Sequence, residues 1–202
     1  MLDAVFQGCI MGLILSTFCG PIFFMLINLG ISSTIKSVFY LAFGVFLSDL
    51  IIILVLLYLA LGAVSESKYL EIMYYVGGSI LVYFGIRNLF STPVMQKQNE
   101  NVSQKELNKL FLEGFMVNSF NPNIFFFWFG TMIFAFDTYH NDKNLVLTHF
   151  ISGLSVSFCT DFLKGFSAFH LKKHITPILL KGLNILSGLI IIGFGLKLIF
   201  WH

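Results

Sequence analysis

The stretch Gly78-Ser-Ile-Leu-Val-Tyr-Phe-Gly85-Ile-Arg87 is repeated 110 residues later as Gly188-Leu-Ile-Ile-Ile-Gly-Phe-Gly195-Leu-Lys197. Both versions are apolar, place two glycines seven residues apart and end on a basic residue. A basic side chain at the end of an apolar segment commonly extends to the lipid headgroups. The repeated stretch therefore indicates that the chain contains one membrane-spanning unit twice.

Further residues pair between the two units at similar spacings. Pro21 corresponds to Pro122, 101 residues on, and Asp49 corresponds more loosely to Asp161, 112 residues on. Each unit contains three apolar segments, so it ends on the opposite membrane face and its second copy must be inverted. We predict an all-α integral membrane protein with six transmembrane helices in two inverted three-helix repeats, an architecture typical of secondary transporters.

Composition excludes an ordinary soluble domain. Apolar residues make up 57% of the chain and charged residues 11%, with a mean hydropathy of +0.87, whereas soluble domains contain about 25% charged residues. A spanning helix needs roughly 20 mostly apolar residues. The predicted spans are approximately 4–30, 38–62, 70–90, 109–136, 145–169 and 176–200.

These spans divide the chain into a first three-helix repeat (1–90), a polar linker (91–108) and a second three-helix repeat (109–202). We count nine basic residues at the first, third and fifth connections or the helix ends beside them. The opposite side has three: Lys68, Lys143 and Lys197. The positive-inside bias then places the linker in the cytoplasm and both termini outside it. Because no basic start precedes the first apolar run, we expect that run to remain as a spanning helix of the cytoplasmic (inner) membrane.

The first span is interrupted where Ser16 and Thr17 are followed by Gly20 and Pro21. Proline cannot donate a backbone hydrogen bond and disturbs the preceding turn. Backbone groups freed inside a bilayer must face protein or a water-filled cavity. A proline kink alone is common in membrane helices, so the interpretation of these four residues as substrate-binding depends on a second break.

The fourth span supplies that second break, with Asn118 and Asn121 before Pro122. Interrupted helices at corresponding positions of two repeats are the best sequence indication of a transport site. We therefore predict that these three residues also bind substrate.

Asp49 lies near the middle of the second span, where a carboxylate costs about 3 kcal/mol on insertion scales. A partner, water or protonation must offset that cost, and an acid that exchanges a proton suits a proton-coupled carrier. Asp161 is the predicted counterpart, but Lys164 lies three residues further along the same helical face. We predict proton coupling by both acids, with a structural Asp161–Lys164 ion pair as the alternative for the second.

With these residues in place, the chain resembles the LysE/RhtB family of amino-acid exporters. The resemblance rests on Gly20-Pro21, the region from Gly44 to Asp49, Gly78…Tyr83-Phe-Gly85-Ile, Gly114-Phe…Asn118…Asn121-Pro122 and Gly188…Gly195-Leu. It covers nearly the whole chain, and the order and spacing of the pieces carry it.

The resemblance implies export of basic, neutral or hydroxylated amino acids or close relatives by proton antiport. Three positions depart from the family pattern: Cys19 replaces a proline, Ser48 a glycine, and Asn123 a basic residue. These changes bear on the substrate more than on the fold.

Two alternative functions are a transmembrane thiol-disulfide carrier and a heavy-metal exporter. Cys19 lies beside the first break, but its counterpart is Phe120, and no clustered ligands accompany Cys159. The chain lacks a Gly-rich phosphate loop, a His-Glu-x-x-His pair and a nucleophile elbow. We therefore expect no enzyme activity, cofactor, metal or nucleic acid. The expected partners are a small amino-acid substrate and the lipid bilayer, and homo-oligomerisation is left open.

Overall fold

The fold is taken from a computed structural model that describes residues 1–18, 20–63 and 102–171. It also describes isolated positions at 79, 82–83, 86, 89–90, 176, 178, 181–182, 185–186, 188–189, 192–193 and 196. The three continuous stretches form six α-helices and no strand. The helices are α1 (Leu2–Ser16), α2 (Pro21–Ser32), α3 (Ile35–Ala63), α4 (Gln104–Ser119), α5 (Pro122–Thr138) and α6 (Lys143–Leu171).

Both prolines interrupt a helix, as predicted. The axes of α1 and α2 differ by 75° across the first break. The second break separates α4 from α5 at Phe120 and Asn121. In each case the proline occupies the first helical position, where its missing N–H would be unpaired in any residue.

Two described helices, α3 and α6, are long and apolar enough to cross a membrane, and the bent pair α1–α2 could form a third span. Helix α5 is apolar but shorter. The predicted third and sixth spans, and with them the Gly78/Gly188 repeat, fall largely outside the described residues. The six-span inverted arrangement therefore stays a prediction.

The start of α4 differs from the predicted linker boundary, because α4 begins at Gln104 within 91–108. Ser103 and Glu106 form a capping box: Glu106 N donates to Ser103 Oγ at 3.3 Å, and Ser103 N donates to Glu106 Oε2 at 2.7 Å. This reciprocal pair supplies partners for two amide groups at the helix start. The hydrogen bonds from the Ser103 backbone N–H and then from its hydroxyl lower the pKa of Glu106.

Glycines allow the helices that precede the two breaks, α1 and α4, to pack closely against the long helices α6 and α3. We call α1, α2, α4 and α5 the half-helices. A Cβ on Gly8 or Gly12 of α1 would overlap a backbone carbonyl of α6. A Cβ on Gly114 of α4 would overlap the carbonyl of Leu41 on α3. Small residues allow such close approach in membrane proteins. As a result α1 packs on α6 and α4 packs on α3, so each first half-helix contacts the long helix of the other predicted unit.

Helix α3 contributes to two separate clusters of buried apolar side chains. Its first half, including Leu41 and Val45, packs with Leu26 of α2. Its second half, including Ile52 and Leu56, packs with side chains from α1, α5 and α6. The polar pair Ser48 and Asp49 lies between these two stretches, at the midpoint of the 29-residue helix.

Candidate functional site

The first break leaves the N-terminal end of α2 without a side-chain cap. Gly20 is the N-cap in an extended conformation (φ −94°, ψ −170°), and having no side chain it accepts no hydrogen bond from the first turn. The first amide groups of a helix have no partner within the helix and together carry a partial positive charge. The break therefore presents backbone N–H donors of α2 for an anionic group.

The second break is capped by the side chain of Asn121. Its Oδ1 accepts from the backbone N–H of Asn123 at 3.1 Å, which satisfies one amide of the first turn of α5. Its side-chain nitrogen points elsewhere: Asn121 Nδ2 lies 3.7 Å from the position that a Cβ on Gly20 would occupy. The two breaks therefore lie side by side, although they are about 100 residues apart in the chain.

Asp49 is almost fully buried, with 2% of its surface exposed. Asn118, in the last turn of α4, donates from Nδ2 to Asp49 Oδ1 at 2.8 Å. The same amide nitrogen lies 3.2 Å from Ser48 Oγ. A buried polar group needs such partners to offset the loss of water, and here one helix end supplies them to the middle of another helix.

Two further residues surround this carboxyl. Ser119, which follows Asn118, shares a hydrogen bond with Ser48 at 2.9 Å between the two Oγ atoms. The indole N–H of Trp128 on α5 interacts electrostatically with Asp49. That N–H is fully buried and makes no hydrogen bond of normal geometry within the described part of the chain.

Asp161 has a different environment, because a cation accompanies it. Lys164 Nζ lies 2.6 Å from Asp161 Oδ1, and the two side chains are 17% and 9% exposed. The ion pair predicted from their spacing is confirmed. Lys164, one of the nine basic residues counted on the predicted cytoplasmic side, is thus paired with a carboxylate.

The end of α1 contacts the residue that precedes this second acid. Ser16 Oγ hydrogen-bonds with Thr160 Oγ1, and Thr160 immediately precedes Asp161. In the same way, the end of α4 contacts Ser48, which immediately precedes Asp49. At both sites, therefore, the end of an interrupted helix bonds to the residue before a buried acid.

The structure brings most of the predicted site residues together, but they differ in the groups that they contact. Asn118 reaches Asp49, and Gly20 faces Asn121. The Thr17 hydroxyl instead donates to the carbonyl of Ile14, at 2.7 Å, within its own helix. Pro21 and Pro122 each begin the helix that follows a break. Cys19 lies outside the described residues.

Sequence reasoning missed three contributors: Ser119, Trp128 and Thr160. Ser119 and Thr160 carry a recognisable signal, since each is a polar residue beside a predicted break or acid. Trp128 carried none, because it is one of five consecutive aromatic residues, Phe125 to Phe129, and nothing in the sequence distinguishes it from its neighbours. Its neighbour Phe127 is fully buried, whereas Phe125 is 37% exposed.

His149 forms a second buried polar contact away from the acids. It is fully buried, and its Nδ1 lies 3.1 Å from the hydroxyl of Tyr139. Burial, followed by the charge of Asp3, raises the pKa of the Tyr139 hydroxyl above its usual value. The helix-pair packing thus encloses a histidine that would be expected at the membrane interface from its position near the start of α6.

The described residues show no arrangement that favours the metal or thiol alternatives. Cys9 is half-buried, Cys159 is exposed, and both are free thiols. No group of three or more metal-ligating side chains occurs in the part of the chain that the structure describes.

Comparison with known proteins yields a family match. The model of the family described as LysE type translocator matches residues 13–201, nearly the entire chain. Comparison of the chain with curated proteins and with solved structures found no match.

Proposed function

Because this chain belongs to the LysE type translocator family, a family of transporters, we propose that it exports amino acids or close relatives across the cytoplasmic membrane in exchange for protons. The observation that carries the proposal is the buried Asp49 carboxyl. It lies at the midpoint of a spanning helix and is held by Asn118, at the end of an interrupted helix.

Asp49 exchanges its partner during transport. The carboxylate binds either a proton or the ammonium group of the substrate, because both neutralise the same buried charge. A charged carboxylate left empty within the bilayer is costly, so the carrier changes conformation readily only with one of the two bound. This competition couples outward movement of substrate to inward movement of protons.

The substrate carboxylate binds at the meeting point of the two breaks. The uncapped amide groups of α2, beyond Gly20 and Pro21, favour an anion. The Asn121 amide nitrogen faces the same place, and Ser16, Thr17 and Pro122 border it. A carboxylate at the breaks and an ammonium group at Asp49 together match the two ends of an α-amino acid.

Alternating access follows from the pairing of the helices. Helix α1 packs on α6 and α4 packs on α3, so two packed groups can rotate relative to one another about the breaks. The site is thereby opened first to the cytoplasm and then to the outside. Both termini lie outside the cytoplasm in this arrangement.

Efflux from reconstituted liposomes tests the proposal. Proteoliposomes are loaded with acidic, neutral, hydroxylated or basic amino acids, and the exterior is made acidic relative to the interior. We expect at least one amino acid to leave faster with this gradient than without it, and a protonophore to abolish the difference. Rates equal to those of protein-free liposomes for the whole panel would refute the proposal, and efflux indifferent to the gradient would refute proton exchange.

A further inference from the structure

The second buried acid carries its own cation. Lys164 and Asp161 lie one helical turn apart on α6, and the 2.6 Å contact joins Nζ directly to Oδ1. The Phe23 ring of α2 lies 6.0 Å from the same Nζ, at the limit of a cation–π contact. The lysine side chain thus lies on the side of α6 that faces α2, with 17% of it exposed.

Asp49 has no such cation among the described residues. Its hydrogen bond comes from the neutral Asn118 amide. The described part of the chain contains two ion pairs, Asp161–Lys164 and the exposed Lys109–Glu113. The charges of Asp161 and Lys164 act on Asp49 in opposite directions.

The number of unmatched charges follows from this arrangement. The Asp161–Lys164 pair is neutral as a unit, so within the described stretches Asp49 is one buried carboxyl without a cation. One ammonium group neutralises it. A second ammonium group on the same substrate would meet no further buried carboxylate among the residues that the structure describes. An uncompensated charge in a poorly hydrated site is strongly disfavoured.

We propose that Lys164 determines substrate specificity by neutralising Asp161, so that the site accepts amino acids with one ammonium group and rejects those with two. This inference rests on the proposed amino-acid export. It assigns proton exchange to Asp49 alone, because Asp161 remains bound to Lys164 throughout the transport cycle. Lys164 acts through Asp161 and does not itself contact the substrate.

The test measures efflux of a neutral amino acid, alanine, and of a dibasic one, lysine, from proteoliposomes. The variants are Lys164→Gln, which frees Asp161, and the double variant Asp161→Asn/Lys164→Gln, which removes both charges. Lys109→Gln, which breaks the exposed ion pair, is the matched control. Wild type should export the neutral amino acid and discriminate against lysine by about tenfold or more.

Lys164→Gln should raise the lysine-to-alanine ratio by about tenfold, because the freed carboxylate accepts the second ammonium group. Lys109→Gln should leave the ratio unchanged. The double variant should keep the wild-type ratio and its dependence on the pH gradient. The double variant buries no unpaired charge, so it can be measured even if Lys164→Gln fails to insert. It then tests whether gradient-driven efflux needs Asp161.

Each contrary result has a distinct meaning. A wild-type protein that exports lysine as well as alanine, or a Lys164→Gln ratio equal to wild type, overturns the inference and leaves amino-acid export standing. Loss of gradient-driven efflux in the inserted double variant also overturns it, because Asp161 would then be needed for coupling. Failure of wild type to move any amino acid overturns the proposed function itself.

Discussion

Asn118 and Asp49 are 69 residues apart in the chain, yet Asn118 Nδ2 donates to Asp49 Oδ1 at 2.8 Å. The amide belongs to the end of the interrupted helix α4, and the carboxyl lies at the middle of the long helix α3. This contact links the second break to the first buried acid. Movement of the end of α4 relative to α3 would therefore change the environment of the carboxyl.

Replacement of Asp49 by asparagine should reduce gradient-driven efflux to the level of protein-free liposomes, because the uncharged amide binds neither a proton nor an ammonium group with useful affinity. Asp137→Asn is the matched control, since Asp137 is an exposed acid at the end of α5. Fluorescence size-exclusion chromatography would establish that both variants insert and fold. Wild-type efflux from Asp49→Asn would remove this residue from the mechanism.

Gly114→Ala should destabilise the protein by roughly 1–3 kcal/mol, because the added methyl group overlaps the carbonyl of Leu41 and forces α4 away from α3. Thermal unfolding in detergent measures the effect. Gly20→Ala and Gly182→Ala are the controls. The first methyl group meets Asn121 Nδ2 at an ordinary 3.7 Å, and the second meets no described residue within 4 Å. Equal stability of all three variants would contradict the close packing of α3 and α4.

Tyr139→Phe should destabilise the protein by about 1–3 kcal/mol, because it removes the hydrogen-bond partner of the fully buried His149 Nδ1. Tyr58→Phe is a suitable control, since Tyr58 is 81% exposed. Denaturation of both variants in the same detergent provides the comparison. If the two variants have the same stability, the Tyr139–His149 contact contributes nothing measurable.

Acidification should weaken the start of α4 through Glu106. The pKa of Glu106 is lower in the folded protein than in the unfolded chain. The stabilisation of the helix start by the ionised carboxylate is therefore complete above the unfolded pKa of about 4.5. It is lost as the pH falls through the lowered pKa of the folded state. NMR titration of the Glu106 carboxyl should show a midpoint below the ordinary value. Backbone signals of residues 103–107 should change over the same pH range.

Glu106→Gln should abolish that pH dependence at the helix start. Glu113→Gln, which removes the acid of the exposed Lys109–Glu113 pair, should preserve it. A pH response of residues 103–107 that persists in Glu106→Gln would assign the transition to another group.

Much of the architecture was predictable because its causes are local. Long apolar runs predict spanning helices, and proline predicts a break wherever it falls, so α3, α6 and both interruptions agree with expectation. The capping box also depends only on neighbouring residues, Ser103 and Glu106. Because the residues around it are polar, the sequence alone assigns it to the linker. Asp161 and Lys164 pair as expected since a single helical turn joins them.

Which distant groups meet was not predictable in the same way. The partners Asn118 and Asp49, Ser16 and Thr160, and Tyr139 and His149 are set by how the helices pack. That packing depends on how closely the helix backbones approach one another at the glycines and on the rotation of each helix about its axis.

By itself, the sequence determined that this is a helical membrane protein with two interrupted helices and two buried acids, because hydrophobicity and proline act on the residues around them. The tertiary structure alone decided that the breaks lie together and that Asp49 receives a neutral donor. Those outcomes depend on contacts between helices, because a hydrogen bond forms only when packing brings its donor and acceptor within about 3 Å of each other.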